Sequence, residues 1–141
     1  MACGVSTSVD VGVDVEPVDR VVSPDLTQAV LSKPEAAWLG ALEKADQPLA
    51  FTRLWTLKEA FIKATGRGLE HDLQAFSFNL DPIRLTLVDR TLGSTRHWSF
   101  EQQLMGRSHV LSVAAYSRAM PVDGIRVEIR SRSSSGWPTE D

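Results

Sequence analysis

The sequence of 141 residues is poor in several things, and each shortage removes a class of protein. It has one cysteine, Cys3, which excludes an internal disulfide and points to a reducing, cytoplasmic setting. Its longest apolar run falls far short of the roughly 20 residues that a membrane-crossing helix needs. Residues 1–10 lack the basic start and apolar stretch of a secretory leader. There is no excess of base either: 15 Lys+Arg stand against 18 Asp+Glu, a formal charge of −3, which argues against a general nucleic-acid binder.

What is present is the composition of an ordinary soluble domain, 43% hydrophobic and 23% charged. At roughly 100–200 residues per domain, this length predicts one domain with a real core. We expect it over residues 1–120, which leaves 121–141 as room for a last strand and a disordered, serine-rich tail. No internal repeat is visible.

Residues 9–15 alternate valine with Asp10, Gly12 and Asp14, the period of a strand with a buried valine face and an exposed polar one. Pro17 marks its end, and Asp14 and Glu16 project from the same side. Ser23-Pro24 and the capping box Ser32-Lys33-Pro34-Glu35 each open a helix. Asp46-Gln47-Pro48 interrupts, and the longest helical pattern runs over 49–65 with Leu54, Leu57, Phe61 and Ala64 as its core stripe. Gly66 and Gly68 stop it. Residues 75–80, 83–88, 98–104 and 110–116 read as short antiparallel strands punctuated by Pro82, Gly93 and Gly106. The fold class is therefore α+β, a small antiparallel sheet packed against two or three helices.

Three acids invite attention together: Asp14 and Glu16 on the strand and Glu59 on the long helix. Alone, each has an ordinary explanation, a solvated strand edge for the first two and an i, i+4 pair with Lys63 for the third. Trp55, Glu59 and Lys63 nevertheless share one helix face, distinct from the apolar stripe. Between Arg53 and Arg67 four bases (Arg53, Lys58, Lys63, Arg67) face one acid, whereas residues 1–16 hold three acids and no base. Plain electrostatic complementarity explains that pattern. So does a Mg²⁺ site of few carboxylates whose shell is completed by substrate phosphate.

The motifs resemble a known family. Gly12-Val13-Asp14-Val15-Glu16 is similar to the Gly-Ile/Val-Asp-x-Glu motif of the 4′-phosphopantetheinyl transferase superfamily, and residues 55–69, beginning Trp55-Thr56-Leu57-Lys58-Glu59-Ala60, resemble its second motif. The resemblance spans about residues 9–117. It implies Mg²⁺-dependent transfer of phosphopantetheine from coenzyme A to a serine of an acyl or peptidyl carrier protein. It also implies metal ligation by Asp14, Glu16 and Glu59, phosphate contacts from Lys58 and Lys63, and catalytic roles for Glu59, as a base, and Lys63. Trp55 is expected to pack beside the site.

The spacing resembles the larger branch, in which two similar halves enclose the active site and this strand opens the second half. The first half, with its coenzyme A-binding His-Ser motif, has no counterpart here. The length approaches that of the small, trimeric holo-acyl-carrier-protein synthases. Self-association as a homo-oligomer, pairing with a separate first-half subunit, or a non-catalytic half that binds metal, coenzyme A or a partner therefore all remain open. His71, His97 and His109 read as ordinary loop or strand residues, and Glu70-His71-Asp72 as a solvated loop. Arg84, Arg90, Arg96 and Arg107 are candidates to meet an acidic carrier surface.

Overall fold

The structure, a computed structural model, describes residues 6, 9–67, 72–87, 94–119 and 128. Strand β1 (Asp10–Pro17) leads into helices α1 (Pro24–Val30), α2 (Lys33–Gly40) and α3 (Gln47–Thr65). Strands β2 (Phe76–Leu80), β3 (Ile83–Leu87), β4 (Trp98–Met105) and β5 (His109–Tyr116) follow. The expected α+β class holds, but the strands divide into two sheets: a three-stranded one in the order β1-β5-β4 and the hairpin β2-β3, both antiparallel. The arginine expected at 90 and the tail from 121 onward, Glu128 apart, lie outside the described residues, as do Gly68 and His71.

The helix starts follow their caps. Ser23 Oγ accepts from the Leu26 N–H, and Ser32 with Glu35 completes a capping box. Helix α3 begins earlier than the pattern suggests, because Gln47 and Pro48 sit in its first turn, where a missing proline N–H costs nothing. It ends at Gly66 with φ +69°, a left-handed cap that suits glycine. Leu54, Leu57 and Phe61 are fully buried as the stripe requires. Phe61 lies at the middle of an aromatic cluster with Phe76, Phe78, Trp98 and Phe100.

One expectation is reversed. The valines of β1 do not face the helices; Gly12 and Asp14 do, and they are buried, while Val11, Val13 and Val15 are only partly so. The reason is the closeness of α3. A Cβ on Gly12 would stand 1.9 Å from the Ala60 carbonyl oxygen and 2.4 Å from the Ala64 nitrogen, so β1 lies against α3 main chain to main chain. That contact brings a carboxylate, Asp14, under the helix.

Candidate functional site

Asp14 pairs with Ser112 across β1 and β5, which fixes its backbone in the middle of that ladder. Its side chain points at the last turns of α3. Lys63 Nζ donates to Asp14 Oδ1 at 2.7 Å, and Asp14 Oδ2 is buried without a hydrogen-bond partner. The Asp14 side chain is 8% exposed and that of Lys63 is 52% exposed. Burial pushes the Asp14 carboxyl above the ordinary aspartate range, and the Lys63 bond only partly offsets it. Glu59, one helical turn before Lys63, is also pushed up, first by burial and then by the negative charge of Asp14 and of Glu16. The i, i+4 partner that Lys63 would offer Glu59 is thus engaged by the strand.

Glu16 completes the acidic group from the strand's end. Its Oε1 accepts from the Trp55 indole N–H at 3.2 Å, and its Oε2 is paired with Arg20. Arg20 also lies over the Trp55 ring, 4.9 Å from the centroid. Trp55 therefore holds Glu16 as well as packing beside the site. Sequence reasoning missed Arg20; the signal was a lone base soon after the three acids of residues 1–16.

Lys58 does not join this group, which corrects the expectation that it meets a phosphate. Its side chain is 0% exposed. Its ammonium is bonded to Glu35 Oε2 at 2.8 Å, the Leu73 carbonyl at 2.5 Å and the Phe76 carbonyl at 2.8 Å, with the Phe76 ring centroid 4.5 Å away. All three ammonium donors are used, so none is left for a ligand. Glu35 is equally engaged, accepting from the Ser32 and Phe78 N–H groups. This pair ties α2, α3 and β2 together.

A second polar network stands under the site. Ser112 Oγ donates to Thr56 Oγ1 at 2.7 Å, and Gln102 Nε2 reaches Ser112, Thr56 and the Arg53 carbonyl. Arg53 in turn donates to Gln102 Oε1 and to both oxygens of Asp81. It fixes α3 against β4 and β5 at the level of Asp14. Of the two described histidines, His97 bonds the Ser117 carbonyl and His109 bonds Ser108. The Arg84, Arg96 and Arg107 side chains are exposed.

A hard cation fits here by the chemistry of the donors: a buried carboxylate oxygen without a partner, and a second carboxyl beside it raised by burial and by like charge. The three carboxylates do not yet enclose an ion, however. Among the described residues no three acidic, histidine or cysteine side chains are grouped to hold a metal as they stand. Lys63 and Arg20 occupy two of the acids instead.

Residues 10–114 match the 4′-phosphopantetheinyl transferase superfamily, and the chain belongs to that family. Within it, the chain is 37% identical over 70 residues to the 4′-phosphopantetheinyl transferase Sfp of Bacillus subtilis, covering 50% of this chain and 31% of that protein. It is 30% identical over 103 residues to a putative 4′-phosphopantetheinyl transferase of Synechocystis, covering 71% and 41%. A human L-aminoadipate-semialdehyde dehydrogenase-phosphopantetheinyl transferase matches at 37% over 73 residues, or 45% and 23%. The chain thus spans less than half of each of these curated relatives.

Among solved structures, the holo-[acyl-carrier-protein] synthase of Thermotoga maritima superposes with TM-score 0.62 at 21% identity, covering 93% of this chain and 82% of that one. The Bacillus anthracis synthase, solved with coenzyme A (3′,5′-ADP), gives 0.64 at 16% identity, covering 79% and 98%. These likenesses show a shared α+β fold. Among the described residues, no helix is long and apolar enough to cross a membrane.

Proposed function

We propose that the chain transfers the 4′-phosphopantetheine group of coenzyme A to a serine of an acyl or peptidyl carrier protein, in the cytoplasm and with Mg²⁺. The observation that carries this reading is the meeting of Asp14, Glu59 and Lys63 across β1 and α3, with Asp14 Oδ2 buried and unpartnered. In the reaction, the serine hydroxyl oxygen bonds to the phosphorus that carries pantetheine. The bond from that phosphorus to adenosine 3′,5′-bisphosphate breaks. Asp14, Glu59 and Glu16 would hold Mg²⁺, which would supply charge neutralisation at the pyrophosphate. Lys63 meets a phosphate oxygen as a point charge. Glu59 takes the serine proton, directly or through a water.

One reagent set tests it: an apo carrier protein incubated with this chain, coenzyme A and Mg²⁺, followed by mass spectrometry. A carrier heavier by one phosphopantetheine, with the gain lost in Glu59→Ala, is the expected result. An unchanged carrier mass at every chain concentration overturns it.

A second reading, a half that binds coenzyme A or metal but needs another subunit for transfer, is favoured by Lys58. With Lys58 committed to Glu35, the expected phosphate-binding bases reduce to Lys63. Further cations would then come from a second copy of this chain or a separate first-half subunit. Activity rising faster than linearly with chain concentration indicates the first, and rescue by an added subunit the second.

A further inference from the structure

We infer that Lys63 is an exchangeable counter-ion, seated on Asp14 until a pyrophosphate-bearing ligand draws it away, so that divalent metal and pyrophosphate enter the site together. This rests on the proposed reading of Asp14 and Glu59 as metal ligands and says what holds them beforehand.

The two partners of the pair are unequal. Asp14 is held in place: its backbone is paired with Ser112 on β5, Gly12 two residues before it abuts α3, and its side chain is 8% exposed. Lys63 can move, because its side chain is 52% exposed and springs from the last turn of α3 on a flexible stem. Only one Asp14 oxygen is bonded, and the other is buried without a partner. One positive charge therefore already stands where a divalent ion would be drawn. An ion arriving alone meets that charge at close range and is repelled. Departure of Lys63 alone would leave the buried Asp14 carboxylate with no hydrogen-bond donor on either oxygen. Both moves are costly singly, and both become cheap together when pyrophosphate gives Lys63 a new partner and the ion its remaining oxygens. Lys58 shows the contrast on the same helix: its three bonds leave it nowhere to go.

Mn²⁺ binding to the full chain, read by water-proton relaxation at matched free Mn²⁺ with and without inorganic pyrophosphate, tests this without any turnover. In the unaltered chain, pyrophosphate is expected to tighten Mn²⁺ binding by roughly tenfold or more. Lys63→Met should bind Mn²⁺ alone about five- to tenfold more tightly, since a half-exposed charge a few ångströms away acts through a high effective dielectric. It should also lose most of the pyrophosphate gain, and Lys63→Arg should restore the original pattern. Equal or weaker Mn²⁺ binding by a folded Lys63→Met chain overturns the inference while leaving the metal site standing. No Mn²⁺ binding by either chain, with or without pyrophosphate, removes the metal site and the inference together.

Discussion

Helix α3 carries two lysine–carboxylate pairs five residues apart, and they are built on opposite plans. Lys58 and Glu35 are closed on every side, with both carboxylate oxygens and all three ammonium donors used inside the core. Lys63 and Asp14 share a single bond, with half of the lysine in solvent and one aspartate oxygen left over. A pair whose capacity is exhausted can only hold elements together. One with capacity to spare can accept something else. Both lysines spring from one helix, so the difference lies in where along it each sits and what the neighbouring strands and helices supply there.

Breaking the closed pair should have the largest effect. Lys58→Met leaves Glu35 charged and buried, and we expect a loss of about 3–5 kcal/mol in urea denaturation. Lys58→Met combined with Glu35→Gln should recover part of that, because glutamine still accepts from an N–H group. Lys63→Met, which strands a buried carboxylate but removes only a half-exposed amine, should cost less, about 1–2 kcal/mol. A similar large loss from both single variants would erase the distinction.

Next in size is Gly12→Ala. The added methyl meets the α3 main chain, and overpacking of this kind typically costs about 1–3 kcal/mol or more. It should also lift Asp14 away from Lys63 and weaken Mn²⁺–pyrophosphate binding while sparing the Glu35 contact. Retained binding with parental stability would contradict the main-chain contact.

Asp14→Asn should separate stability from function. Burial raises the carboxyl in the fold, so its ionisation weighs against folding above that raised pKa. The neutral amide removes this penalty, and without metal we expect a melting temperature about 2–4 °C higher with phosphopantetheine transfer abolished. A lower melting temperature would mean that the Lys63 bond outweighs burial.

The smallest effect belongs to Asp81, which Arg53 holds below the usual carboxylate range by hydrogen bonding. Its folded pKa is depressed, so its contribution is present above the ordinary carboxylate pKa and lost as pH falls through the folded value. Asp81→Asn should flatten the acid limb of the melting-temperature curve slightly and leave its lowest end unchanged. Asp81 itself is largely exposed, so the shift should be near the limit of measurement.

Much of this arrangement could be read from the amino acids. The caps at Ser23 and Ser32, the α3 stripe and the short strands obey local rules, and each is found where those rules put it. Asp14, Glu16, Glu59 and Lys63 lie near enough in the fold for their charges to act on one another. The failures are all non-local. Valine on a strand normally marks the buried side, but here only glycine fits against the helix, so the pattern is inverted. Glu35 looks like a capping residue and is one, yet its second task depends on Lys58, brought beside it only by folding. The division into two sheets follows from β5 lying between β1 and β4, a long-range choice that no short window contains.

The bare hydrogen at Gly12 has a consequence for how this site tolerates change. Where strand and helix touch through side chains, rotamers can shift and the gap between them can drift as the core is altered. Here the boundary consists of peptide groups, which have no rotamers to adjust. The span from the strand's carboxylate to the helix's lysine is therefore gauged by bond lengths and angles. Substitutions elsewhere in the core can soften the molecule around that span without re-setting it.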